Sequence, residues 1–194
     1  MYRVINNLPI DYDFQSKTKE ELKLYAKWFE ENKESRLQEL IKVVKTTKGY
    51  ENREADYSPE SLKMLGKWFE ENVETEKLSE EEYKEKRAAV PDYIEIQDWD
   101  ITIKIRSLAV DIGIYFGEVF IKNHEGLKWE QYFSRSKYDM DIGHMVIKGF
   151  GKTRLNSIWK LYIIANCLAD KTDTGEIVYE LYTMLENRLD EKYK

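Results

Sequence analysis

The chain has one cysteine and two histidines among its 194 residues, and this scarcity excludes several kinds of site. A single thiol, Cys167, cannot form an internal disulfide, and its apolar surroundings predict a buried and unreactive side chain. His124 and His144 have no further histidine or cysteine at the spacing of metal ligands. The sequence therefore predicts neither a metal site nor a cofactor.

The chain also lacks a long hydrophobic run. The longest apolar stretch, residues 108–121, is interrupted by Asp111 and Glu118 and falls short of the roughly 20 residues that a membrane-spanning helix needs. The first residues do not form the apolar core of a signal peptide. We expect a cytoplasmic protein with no membrane partner.

Basic residues are outnumbered by acidic ones, 31 to 37, which gives a net charge of −6. A negative field repels phosphate backbones, so nucleic acid is not an expected partner. The hydrophobic fraction of 42%, with five Trp and fourteen Tyr, is enough for a substantial core.

What the chain does contain is a repeat in its first half. The run Lys-Trp-Phe-Glu-Glu-Asn occupies residues 27–32 and again residues 67–72. One structural unit used twice is the natural explanation. Each copy predicts a helical hairpin, over residues 18–48 and 58–89. Thr18 and Ser58 begin the first helices, a break follows at residues 32–35, and Ser35 and Ser79 begin the second helices.

The second half, residues 91–194, shows a different pattern. Apolar residues at helical spacing predict a long buried helix over residues 100–123, although its beginning could be a strand. Residues 127–133 and 142–150 favour a small antiparallel sheet, residues 156–169 a helix or strand, and the segment from residue 177 a final helix. The predicted fold class is α+β and mostly helical, with residues 1–90 and 91–194 packed as one body.

Three polar residues on the long helix are candidates for acid–base chemistry. Asp111 and Glu118 are seven residues apart and share a helix face, where Tyr115 adds a hydroxyl. Such a face could serve a hydrolase or a small-ligand site. The simpler interpretation, which the sequence favours, is a solvated face with ion pairs. In a variant of it, Asp111 or Glu118 pairs with Arg106 or Arg154 across a packed interface.

The repeated Trp-Phe pairs also admit two interpretations. They are core residues where hairpins meet, or they are anchors of a protein-docking surface with an acidic rim. The docking surface would comprise Trp28, Phe29, Glu30, Glu31, Trp68, Phe69, Glu70 and Glu71.

The second half of the chain carries a pattern that consists of Asp111, Gly113, Tyr115, Gly117 and Glu118 on one helix, followed by Trp129 and by Gly149-Phe150. This pattern resembles one in uncharacterised bacterial domains. The resemblance covers residues 58–150, with the segment from Ser58 to Leu62 similar to an upstream part of some relatives. It implies a mixed α and β fold and carries no established activity or catalytic residue.

With no catalytic constellation, the sequence favours a binding function over an enzyme. Small acidic proteins of this kind are often immunity proteins, an analogy of size and charge. The expected function is a protein-binding module, such as a bacterial immunity protein or antitoxin-like inhibitor that meets a toxin with a basic surface. The alternative is the hydrolase or small-ligand protein described above. The sequence leaves the oligomeric state open.

Overall fold

The computed structural model describes residues 2–136 and 138–194, which contain six α-helices and two small antiparallel sheets. The helices are α1 Lys19–Lys45, α2 Ser61–Asn72, α3 Glu80–Ala88, α4 Ile103–Asn123, α5 Ser157–Ala169 and α6 Ile177–Glu186. The strands are β1 Thr75–Lys77, β2 Trp99–Ile101, β3 Trp129–Gln131, β4 Met145–Phe150 and β5 Thr153–Leu155, and short 3₁₀ turns occupy Phe14–Ser16 and Glu191–Tyr193. The predicted α+β, mostly helical fold class is confirmed.

Helix α4 is the central element of the fold. Every residue from 107 to 120 is buried, because α1, α5 and strand β3 cover different sides of the helix. Two glycines make the close approach possible: a Cβ atom on Gly113 would lie 2.6 Å from Ile158 Cα, and one on Gly117 would lie 2.2 Å from the ring of Trp129. A helix buried on all sides explains why its sequence is rich in isoleucine.

Helix α1 runs without interruption through the first repeat, so the predicted break at residues 32–35 is wrong. Thr18 does cap the helix with Glu21 as expected. Asn32, however, donates a side-chain hydrogen bond to the carbonyl of Trp28, and Ser35 donates one to the carbonyl of Asn32. These polar side chains bond the preceding turn of the same helix instead of ending it.

The second repeat is not a helical hairpin either. After α2 the chain becomes extended at Val73 and forms β1. The capped helix α3 follows, and the chain then returns as β2, which pairs with β1. The partner strand lies about 25 residues further along the chain, so the pairing had no local signature. Gly66 meets Gly175 backbone to backbone, where a Cβ atom would lie 2.0 Å from the Gly175 oxygen.

The C-terminal strands form an antiparallel three-stranded sheet in the order β3-β4-β5. Trp129 of β3 lies opposite Ile147 of β4, and Ile147 lies opposite Leu155 of β5. One continuous cluster of buried apolar side chains includes residues from α1, α2, α4, α5, α6 and this sheet. The same cluster contains no residue between 74 and 98, which sets that segment apart from the rest of the fold.

Candidate functional site

The first predicted candidate, Asp111, is completely buried between α4 and α1. Arg36 donates from Nε to Oδ1 at 2.8 Å and from Nη2 to Oδ2 at 2.6 Å, which is a bidentate pair. The hydroxyl of Tyr2 donates to the same Oδ2 at 2.6 Å. A third nitrogen of Arg36, Nη1, donates to the carbonyl of Arg3 and holds the N-terminal segment on the helix pair.

The electrostatics of this cluster follow from its burial. Burial raises the pKa of Asp111 to about 6, while the hydrogen bonds and charge of Arg36 and the Tyr2 hydroxyl act in the opposite direction. Burial and the neighbouring carboxylate raise the pKa of Tyr2 well above its usual value, so the phenol remains a donor. Every oxygen of Asp111 is thus already engaged within the protein.

Glu118 and Tyr115 are held by different sets of partners. Glu118 Oε1 accepts from Lys33 Nζ at 2.6 Å and from the indole of Trp129 at 2.9 Å. The hydroxyl of Tyr115 lies 2.8 Å from Ser61 Oγ and accepts from the backbone N–H of Tyr57 at 3.3 Å. The alternative in which the carboxylates pair with Arg106 or Arg154 is wrong, because those arginines bind aspartates elsewhere.

The predicted polar face is therefore an internal interface and not a solvated surface. Both carboxylates are neutralised by basic residues of α1, and none of the three candidates lines the groove described below. An acid–base pair must reach a substrate, and these groups do not. The basic partners could have been noticed in the sequence, because Lys33 and Arg36 continue the apolar spacing of α1 between Phe29 and Leu40.

The repeated aromatic pairs are buried as well. Trp28 is 6% exposed, and Phe29, Trp68 and Phe69 are at most 1% exposed. Each indole nitrogen is bonded internally, that of Trp28 to Asn7 at 3.1 Å and that of Trp68 to Thr47 at 3.0 Å. Of the two interpretations, the structure favours the core, and the aromatic anchors of the docking surface are not at the surface.

The glutamates of the repeat are exposed, but two of them have internal partners. Glu70 accepts from the Gly175 N–H and Glu71 from the Tyr50 hydroxyl, both at 2.7 Å. The two copies also share an ion pair within the helix: Lys27 Nζ lies 3.8 Å from Glu31 Oε1, and Lys67 Nζ lies 3.9 Å from Glu71 Oε1. Within the described residues, the Glu30 carboxylate has neither a hydrogen bond nor an ion pair. The repeated run thus builds the same helical turn twice.

A surface feature that sequence reasoning did not single out is the segment of residues 74–98, here called the acidic arm. It leaves the body at β1, forms α3 and returns at β2, and no residue of α3 is buried. Two basic side chains hold its return path: Lys86 donates to the Trp99 carbonyl at 3.3 Å, and Arg87 donates to the carbonyls of Pro91 and Ile94. The arm is ordered by these bonds and not by a core.

The acidic arm carries most of the net charge of the molecule. It has nine acidic and four basic side chains, a net charge of −5, while the whole chain has −6. Within the described residues, four carboxylates of the arm have no ion pair or hydrogen bond: Glu76, Glu81, Glu85 and Glu95. Apolar side chains stand among them, with Tyr93 86% exposed and Tyr83 and Ile94 less so. A charge count over a sliding window of the sequence would have shown this concentration.

A second surface feature is a groove of about 410 Å³ between the 3₁₀ turn Phe14–Ser16, α4 and α5, here called the aromatic groove. Its walls include Tyr12, Phe14, Val110, Ile158, Trp159 and Tyr162, with Asp13, Arg106, Met140 and His144 among the remaining lining residues. The rings of Trp159 and Tyr162 stack at 5.4 Å, and Phe14 lies 4.4 Å from the imidazole of His144. The groove has the size and the aromatic lining that are typical of ligand sites.

The described residues contain no group of three or more His, Cys, Asp or Glu side chains that could hold a metal ion. None of their helices combines the length and the apolar character required to cross a bilayer.

Comparison with known proteins supplies no further evidence on function. No protein-family description, no curated protein and no solved structure matches the chain. The resemblance to uncharacterised bacterial domains therefore stays a prediction.

Proposed function

We propose that the chain is a protein-binding module that uses the acidic arm to recognise a partner with a basic surface, as an immunity protein or antitoxin-like inhibitor does. One observation carries the proposal: the arm holds a net charge of −5 of the chain's −6 and contributes no residue to the core. Its sequence is thus free of packing demands, and the charge it displays needs another explanation.

The physical properties of the arm suit such a role. Concentrated negative charge accelerates the encounter with a basic surface and orients it. Exposed tyrosines such as Tyr93 supply large, rigid contacts that anchor an interface once water is expelled. A stable interface uses roughly 20–30 residues on each side. The arm has 25 residues, most of them exposed, so the residues on one side of it can supply a part of such an interface.

The hydrolase alternative has less support. Asp111, Tyr115 and Glu118 are buried and bonded to Arg36, Ser61 and Lys33, respectively. Charged groups with such partners hold helices together and are not free to exchange protons with a substrate.

The test is affinity capture from the native cells with charge-reversed baits. The arm variant is Glu81→Lys/Glu85→Lys, and the control is Glu30→Lys/Glu34→Lys, which makes the same charge change at the same spacing on α1. We expect the wild type and the control to capture the same basic protein, and the arm variant to lose it. Cross-links from the partner should map to Lys84 or Lys86, and the purified protein should inhibit any toxic activity of that partner.

Two results would overturn the proposal. One is the recovery of no partner by the wild type. The other is a partner that the arm variant retains and the control loses, which would place recognition on the rim of the repeat, where Glu30 lies.

A further inference from the structure

The aromatic groove has features of a ligand site that do not depend on the acidic arm. Its rings come from two distant parts of the chain: the segment at the 3₁₀ turn supplies Tyr12 and Phe14, and α5 supplies Trp159 and Tyr162. Trp159 is 41% exposed and Met140 is 65% exposed, so the groove opens to solvent. A small flat molecule can enter it without a change in the fold.

Two polar side chains of the groove have unused bonding capacity. The carboxylate of Asp13 makes no hydrogen bond or ion pair among residues 2–136 and 138–194, and neither ring nitrogen of His144 has a hydrogen-bond partner there. Burial lowers the pKa of His144 to about 4, with Asp141 acting against the shift, so the imidazole is neutral at pH 7. A neutral imidazole offers one donor and one acceptor to a ligand.

The charge balance around the groove selects the sign of the ligand. Arg106 is neutralised by Asp100 at 2.9 Å, and the nearby Lys17 is bound to Asp11 at 2.9 Å. Asp13 is the one charge of this set without an ion pair or hydrogen bond, although its charge also acts on Lys17, and the charges of the set add up to −1. Aromatic faces attract cations through their ring quadrupoles, so the walls and the free carboxylate favour the same kind of ligand.

From these observations we infer that the aromatic groove binds a small aromatic amine, with the ring between the aromatic walls and the ammonium group at Asp13. The neutral His144 offers an additional hydrogen bond to a polar substituent of the ring. This site is separate from the acidic arm, and the inference stands whether or not the arm binds a protein.

Three probes of matched shape and different charge test the inference: 2-phenylethylamine, phenylacetamide and phenylacetate. Binding is measured by calorimetry and by the indole N–H resonance of Trp159, assigned with the variant Trp159→Phe. We expect the amine to bind about tenfold more tightly than the amide. The contact of the ammonium with the aromatic ring faces and its contact with the Asp13 carboxylate each contribute a few-fold, and the amide makes neither. Phenylacetate should bind most weakly and shift the Trp159 resonance least.

Two variants separate the site from the rest of the surface. Asp13→Asn should weaken amine binding about fivefold and leave amide binding unchanged. Asp170→Asn, at an aspartate that is also exposed and lies at the far end of α5, should change neither. No binding of the amine at millimolar concentration, equal binding of amine and carboxylate, or an Asp13→Asn variant that binds the amine normally would each overturn the inference.

Discussion

At the scale of single residues, two buried arginines with opposite surroundings show what holds this molecule together. Arg36 is paired with Asp111 through two hydrogen bonds, and a third bond fixes the N-terminal segment. Arg53 is only 3% exposed, and its Nε and Nη1 atoms have no hydrogen-bond partner among the described residues. Its contacts are a 3.3 Å bond to the Ser61 carbonyl and the ring of Tyr115.

This contrast predicts different costs for the same substitution. Arg36→Met should lower the free energy of unfolding by about 3–5 kcal/mol, because it leaves the Asp111 carboxylate buried without its ion-pair partner. Arg53→Met should cost less than about 1 kcal/mol, because an unsatisfied cation is replaced by an apolar chain of similar length. Urea unfolding at pH 7 measures both. Equal losses in the two variants would contradict this account of the cluster.

His144 predicts a dependence of stability on pH. Its folded pKa of about 4 lies below the ordinary 6.5, so the stability it contributes is complete above pH 6.5 and is lost as the pH falls toward 4. Asp111, with a folded pKa of about 6, acts with the opposite sign between pH 6 and pH 4. The useful quantity is therefore the difference between the wild type and His144→Gln, in which the Asp111 contribution cancels.

The advantage of the wild type over His144→Gln should shrink as the pH falls from 7 to 5, with a total change of up to about 3 kcal/mol when titration is complete. Chemical denaturation at a series of pH values measures it. A difference that stays constant over this range would show that His144 titrates normally in the folded protein.

At the scale of elements, the contact between α2 and the loop before α6 depends on two glycines. A Cβ atom on Gly66 would lie 2.0 Å from the Gly175 oxygen, which is a backbone atom that cannot rotate away. Gly66→Ala should therefore destabilise the protein by about 1–3 kcal/mol, although alanine is the better helix former. Met64→Ala, at an exposed position on the same helix, should change stability by less than about 1 kcal/mol. Thermal unfolding compares the two, and a stabilised Gly66→Ala variant would refute the close contact.

The elements also show which features of the fold could be predicted from the sequence. Features that depend only on neighbours along the chain were predicted correctly. They are the capping boxes at Thr18 and Ser79 and the helix that the apolar periodicity of α4 indicates. The prediction failed at Asn32, because a side chain that can end a helix can also bond within it. The pairing of β1 with β2 was missed because each strand is three residues long and its partner is distant.

For the candidate site, the polar residues could be identified from the sequence, but their partners and surroundings in the fold could not. Asp111 and Glu118 were identified as a pair on one helix face, and their partners on α1 were not, because the antiparallel approach of α1 and α4 is a tertiary property. The aromatic groove was invisible for the same reason, since its lining comes from segments about 150 residues apart in sequence. The acidic arm, in contrast, was visible in the composition of one continuous segment.

At the scale of the whole molecule, the structure divides into a body with a shared core and an arm that projects from it. Because the arm supplies no core residue, its removal should leave the body folded. The backbone N–H of Leu78 donates to the Asp98 carbonyl at 2.9 Å, so these two residues form a hydrogen-bonded pair of the ladder. Residues 79–97 can therefore be replaced by Asn-Gly, the sequence that a two-residue hairpin turn prefers.

This replacement should change the free energy of unfolding by less than about 1 kcal/mol, as measured by urea denaturation, because no fully buried side chain is lost and the surface ion pairs contribute little. The far-ultraviolet circular dichroism should fall by about the contribution of α3 and no more. A protein that no longer unfolds cooperatively would show that the arm is part of the folding unit.

The central claim of the account is that the acidic arm recognises a protein partner, and the armless protein tests it most directly. Once a partner has been captured by the wild type, its affinity for the wild type and for the armless protein is measured by calorimetry at low and at physiological salt. The account predicts that the armless protein, although folded, loses at least about a hundredfold in affinity, and that binding by the wild type weakens as salt rises. Equal affinity of the two proteins for the partner would contradict it.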